Sequence, residues 1–255
     1  MRVKVDLREI YYFQLLESRG TKQLSRDYEI SSYSVVLLGR FNPSIFTPSW
    51  LEKYELLTEK EAQSAEIKVI HPEISNFVAD WLTLQVDSDR FIATCTISPV
   101  QLRDFVVKLF RDYLTHTPVH SLGINKEVHY KFRKTETRLK MGRALAPLQP
   151  WGDWGKEIDK ADPSLPGGMM NLTMREIKSS REIPGHIQVV IQPSSRISGL
   201  NGVFLQINDH HELPDMRDIQ GSDVMIGVLE ENFDKSLERT DWILEQVLGP
   251  WEKQE

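Results

Sequence analysis

The chain has 255 residues, 40% of them hydrophobic and 27% charged, with one cysteine and a net charge of −6. Such a chain can bury a sizeable core unaided, and its composition excludes a disordered polymer, an internal disulfide framework and a Cys-based zinc cluster. No apolar run approaches the roughly 18 residues that span a bilayer, and the charged start Met1-Arg2-Val3-Lys4 lacks a signal peptide's apolar stretch. A soluble cytoplasmic protein with no membrane partner is expected.

In chain order, the β-branched run Ser34-Val35-Val36-Leu37-Leu38-Gly39-Arg40-Phe41 predicts a buried strand stopped by Asn42-Pro43. Thr47 before Pro48 predicts a helix N-terminus, and Thr58 with Glu61 has the spacing of a capping box. Strand-like runs follow at 67–71, 79–86 and 90–96, the last two joined by the turn chemistry of Asp87-Ser88-Asp89. Cys95 lies in the third run and reads as a buried, inert thiol. Ser98-Pro99 opens a helix whose apolar stripe is Leu102, Phe105, Val106, Leu109, Phe110 and Tyr113.

A strand is predicted at 122–132 and a helix at 135–145. Residues 146–168, crowded with Pro147, Pro150, Gly152, Gly155, Pro163, Pro166, Gly167 and Gly168, read as a loop or linker. Strand-like runs recur at 170–178, 186–192 and 202–209. A final helix spans 222–248, with Gly249-Pro250 as its stop.

This order predicts an α+β fold of two related antiparallel-sheet units, each of three strands then a helix, with helices packed on one face. The expected boundaries are 1–145 for the first unit, 146–168 for the seam and 169–255 for the second. Strand-after-strand order argues against a parallel Rossmann-like sheet. No G-x-G-x-x-G, P-loop or G-x-S-x-G motif supplies a nucleotide or hydrolase anchor.

Five features carry candidate chemistry. Glu176-Ile177-Lys178 on a strand puts a carboxylate and an amine on one face, and Asp162 lies 14 residues upstream. Together they fit a PD-(D/E)xK nuclease, in which the acids hold Mg²⁺ and the lysine activates water. The simpler reading is an exposed cross-sheet ion pair, and a second copy occurs at Glu66-Ile67-Lys68. His210-His211, between Asp209 and Glu212 and with Asp215 and Asp218 nearby, could supply metal ligands. Neighbours on a strand face opposite ways, however, and Pro118 breaks the alignment of His116 with His120.

Residues 129–143 carry Lys131, Arg133, Lys134, Arg138, Lys140 and Arg143 against the single acid Glu136. With Tyr130 and Phe132, this basic segment could bind nucleic acid or another partner, or form a solvated helix face. Residues 205–255 hold 13 acids and 4 bases, and Asp234, Glu238, Asp241 and Glu245 recur along one helical face that would suit a basic partner or a second copy. Trp151 and Trp154 are either pinned to the core or exposed for binding.

Phe41-Asn42-Pro43-Ser44-Ile45-Phe46-Thr47-Pro48-Ser49-Trp50-Leu51, Val69-Ile70-His71-Pro72-Glu73, Trp81-Leu82-Thr83-Leu84-Gln85-Val86 and Leu122-Gly123-Ile124-Asn125 resemble a sporadically distributed prokaryotic family with no assigned activity. The resemblance covers roughly the first half of the chain and transfers no catalytic residue. Its patchy distribution implies mobile-element genes, including phage-defence loci.

The leading expectation is a non-enzymatic interaction or adaptor protein with a protein partner or self-association and no cofactor. A Mg²⁺-dependent nuclease using Glu176, Lys178 and Asp162 is the alternative. A nucleic-acid-binding protein using residues 130–143 is the third.

Overall fold

The computed structural model describes residues 27–162, 167–180, 182–214 and 219–253. The N-terminal residues read above, Pro163, Pro166, Asp215 and Asp218 lie outside them.

Nine strands form one antiparallel sheet. They are β1 (Ile30–Gly39), β2 (Glu66–His71), β3 (Ile74–Ala79), β4 (Leu82–Asp87), β5 (Arg90–Cys95), β6 (Val119–Lys131), β7 (Leu172–Ile177), β8 (Gly185–Pro193) and β9 (Gly202–Glu212), in spatial order β2-β3-β4-β5-β1-β6-β9-β8-β7. The α+β class with an antiparallel sheet is as expected. The sheet is continuous, because β6 pairs with β1 on one side and β9 on the other.

The helices are α1 (Pro48–Lys53), α2 (Glu59–Gln63), α3 (Pro99–Lys108), α4 (Thr135–Leu145), α5 (Gly152–Lys160) and α6 (Asp223–Glu252). Local chemistry sets several starts. The Thr47 hydroxyl accepts from Trp50 N–H at 3.1 Å, Thr58 and Glu61 form a reciprocal capping box, and Ser98 accepts from Gln101 N–H at 3.3 Å. The α3 helix continues through a wider π turn, Leu109–Tyr113.

Three sequence expectations are corrected. The strand read at 79–86 starts later, as β4 at Leu82, and Ala79 instead ends β3, a strand the sequence reading lacks; the two are joined through Asp80, whose φ of 47° lies in the left-handed region that Asp tolerates. Residues 149–160, read as loop, form a 3₁₀ turn (Gln149–Trp151) and α5. Pro150 sits within that turn, and Gly155 closes against the Leu148 carbonyl, where a Cβ would approach to 2.2 Å. Gly249-Pro250 does not stop α6, which runs on to Glu252. Proline removes one helical hydrogen bond, and so near the end the remaining turn persists.

The sheet register places Val35 and Leu37 of β1 beside Ile124 and Leu122 of β6 on one face. There α3 contributes Leu102, Phe105 and Val106, and α6 contributes Met225, Leu229 and Phe233, to the larger apolar cluster. A second cluster gathers Val128, Met141, Leu205, Ile207, Leu244 and Leu248 on the same face. Between the clusters lies a polar belt. Ser236 of α6 donates to Asp209 at 2.7 Å, and Lys126 of β6 pairs with Asp241 of α6. The break in the apolar core therefore crosses β6 and the middle of α6.

The opposite face carries an unbroken polar row, Thr83, Thr94, Ser34, Asn125, Asn208, Gln188 and Arg175, one residue from each of seven adjacent strands. Among the described residues no helix is long and apolar enough to cross a membrane.

Candidate functional site

The basic segment and the tryptophans come together in a helical hairpin. The α4 helix leaves the end of β6, the chain turns at 146–151, and α5 returns beside α4. Arg143 of α4 ties the two by an ion pair to Asp159 of α5 at 2.7 Å. Met141 anchors α4 in the second apolar cluster.

Trp151 and Trp154 stand on the outside of this hairpin, each 57% exposed. Their rings meet edge to face with centroids 5.4 Å apart. Two large aromatic surfaces thus meet while staying open to solvent. The sequence left open whether they are pinned or exposed, and they are exposed.

The six cations of the segment divide. Lys131, Arg133, Lys134 and Lys140 are exposed. Arg143 is neutralised by Asp159. Arg138 is 8% exposed and faces a cavity of about 190 Å³ between α4, α5 and the adjoining end of the sheet. Burial holds its guanidinium below the ordinary arginine pKa. The cavity wall also includes Leu139, Ile158, Asp162, Met169 and Gln192, of which the sequence reading singled out only Asp162. A signal was present: Arg138, Met141 and Leu145 recur at helical spacing on the inward stripe of α4.

The nuclease residues do not meet. Asp162 lines the cavity, to which β8 contributes Gln192 and Pro193, whereas Glu176 lies opposite Ile187. Five strand positions separate Ile187 from Gln192 on β8, roughly 16 Å. Glu176 is already engaged by Lys178 and by Arg239 of α6 at 3.2 Å, and these cations hold its carboxyl below the usual carboxylate range. Lys68 pairs with Glu66 in the same way on β2. The two Glu-x-Lys copies therefore occupy the two edge strands, where charged side chains discourage edge-to-edge pairing.

The histidines separate as alternation requires. His211 is buried near Asp209 at 3.5 Å on the helix face, and His210 points the other way, 3.5 Å from Glu212 and stacked on His186. Among the described residues no group of three or more His, Cys, Asp or Glu is arranged to hold a metal ion. Cys95 is buried, with Sγ 3.3 Å from the Ser98 carbonyl, and burial pushes its thiol pKa up.

The chain matches no protein-family model and no curated protein sequence.

Proposed function

We propose that the protein is a non-enzymatic interaction protein whose docking element for a protein partner is the α4–α5 hairpin. The observation that carries this reading is the Trp151–Trp154 pair. Exposed tryptophans ordered against each other lose little conformational entropy when covered, and this is the property of interface hot spots. The flanking Lys131, Arg133, Lys134 and Lys140 add a basic rim that would steer an acidic partner surface.

A nucleic-acid partner would use the same exposed cations and stack bases on the tryptophans. It ranks second because Arg138 is buried and Arg143 is neutralised, and because on α5 the exposed acids Asp153 and Glu157 offset the exposed Lys156 and Lys160. The nuclease reading loses its support, since Glu176 already has two cationic partners and Asp162 lies at the other end of β8.

The connectivity supports two related units. Each of β1 and β6 is followed by two short helices, a meander that returns to pair with it, and a closing helix, α3 or α6. On this reading the units share the sheet centre, and β2 is the added strand.

Site-specific photocrosslinking in the native host tests the docking surface. A photoreactive residue at Trp154 should capture a discrete protein, whereas the same residue at exposed Thr83 should not. Equal capture at both positions, or capture of nucleic acid alone, would overturn the reading.

A further inference from the structure

The second arginine of the cavity wall has no explanation in partner docking. Arg143 is matched by Asp159, but Arg138 is not matched. Its Nε is buried without a hydrogen-bond partner, and no carboxylate among the described residues pairs with it. Asp162 lines the same cavity but is engaged by another group. A guanidinium does not escape burial by losing its proton, so an unpaired one weakens the fold. Apart from these charged groups and Gln192, the wall is apolar, with Leu139, Met141, Ile158, Met169 and Val203.

We infer that this cavity binds a small organic monocarboxylate with an apolar body, its carboxylate taken by Arg138 and its hydrocarbon part by the wall of α4, α5 and β9. Nε is shielded from the cavity, so the two Nη of the guanidinium are the atoms that can meet the two oxygens of a carboxylate. One uncompensated positive charge matches one negative charge. A phosphate dianion would bring one negative charge more than Arg138 can match. The cavity, at about 190 Å³, lies below the ~300–1,000 Å³ of drug-sized sites, so the ligand is small.

Calorimetric titration of the full chain with sodium hexanoate, sodium acetate, hexan-1-ol and hexyl phosphate tests this, with Arg138→Gln and Arg138→Met as variants. Hexanoate should bind saturably and more tightly than the other three. Acetate should lag it by more than about 10-fold, because each buried methylene adds several-fold. Arg138→Gln should weaken hexanoate at least ~10-fold, the usual loss for a charge-assisted pair. Arg138→Met should keep or raise Tm while removing hexanoate binding, which distinguishes a binding residue from a structural one. No saturable hexanoate binding at roughly 10 mM, unchanged binding in Arg138→Gln, tighter binding of hexyl phosphate, or a lower Tm in Arg138→Met would each overturn the inference.

Discussion

Lys126 of β6 and Asp241 of α6 form an ion pair in the polar belt that separates the two apolar clusters. The Lys126 ammonium also lies over the rings of Tyr33 and Tyr28, at 5.2 and 5.6 Å. Burial opposes its charge, but the Asp241 carboxylate and the two tyrosines outweigh that and hold its pKa above the ordinary value. The pair thus links the middle of the closing helix to β6 in the interior of the sheet.

Asp241→Ala should leave this ammonium buried and unpaired. We expect a loss of about 3 kcal/mol, toward the lower end for a broken buried pair because Asp241 is partly exposed. Lys126→Met combined with Asp241→Leu should recover most of it. Urea unfolding of the three proteins checks this, and equal losses in the single and double variants would contradict it.

His129 and His186 carry pKa values lowered from the ordinary 6.5, by burial first and then by the charges of Arg196 and His210 respectively. A lowered histidine binds fewer protons in the folded state than in the unfolded one. Its contribution is fully present above pH 6.5 and is lost as pH falls through the folded-state values. Tm should therefore fall on acidification from pH 7 to pH 5. The His129→Gln, His186→Gln double variant should flatten that slope, and a slope identical to the wild type would contradict the assignment.

The hairpin depends on the closeness of Gly155 to Leu148. In Gly155→Ala the added Cβ meets the Leu148 carbonyl oxygen and, at 3.2 Å, the Trp151 Cβ. A loss of about 1–3 kcal/mol is expected, with altered tryptophan fluorescence. Gly227→Ala in α6, where nothing lies within 4 Å of the new Cβ, should instead stabilise by about 0.5–1 kcal/mol. Thermal unfolding of both variants checks the contrast in sign.

The parts of the fold legible in sequence were those fixed by local chemistry. Thr47, Thr58 and Ser98 mark helix starts because each hydroxyl caps its own backbone. The α5 helix was hidden because Gly152, Gly155 and Pro150 read as loop residues, and only packing against Leu148 makes a small residue necessary there. Arg138 was legible as a cation, and its burial shows only in its helical spacing with Met141 and Leu145, because charge composition does not distinguish an inward helix stripe from an outward one. The Glu-x-Lys pattern was legible as an ion pair. Its meaning at the sheet edges required the strand order, which no local signal encodes.

The central claim, that the exposed tryptophan pair is a docking surface, is tested most directly by quantitative copurification from the native host. Wild type and the Trp151→Ala, Trp154→Ala double variant would be compared at matched Tm. The account predicts that the double variant keeps the wild-type Tm within about 2 °C, as expected for surface residues, and loses its protein partner. Retention of the same partner at wild-type yield would contradict it.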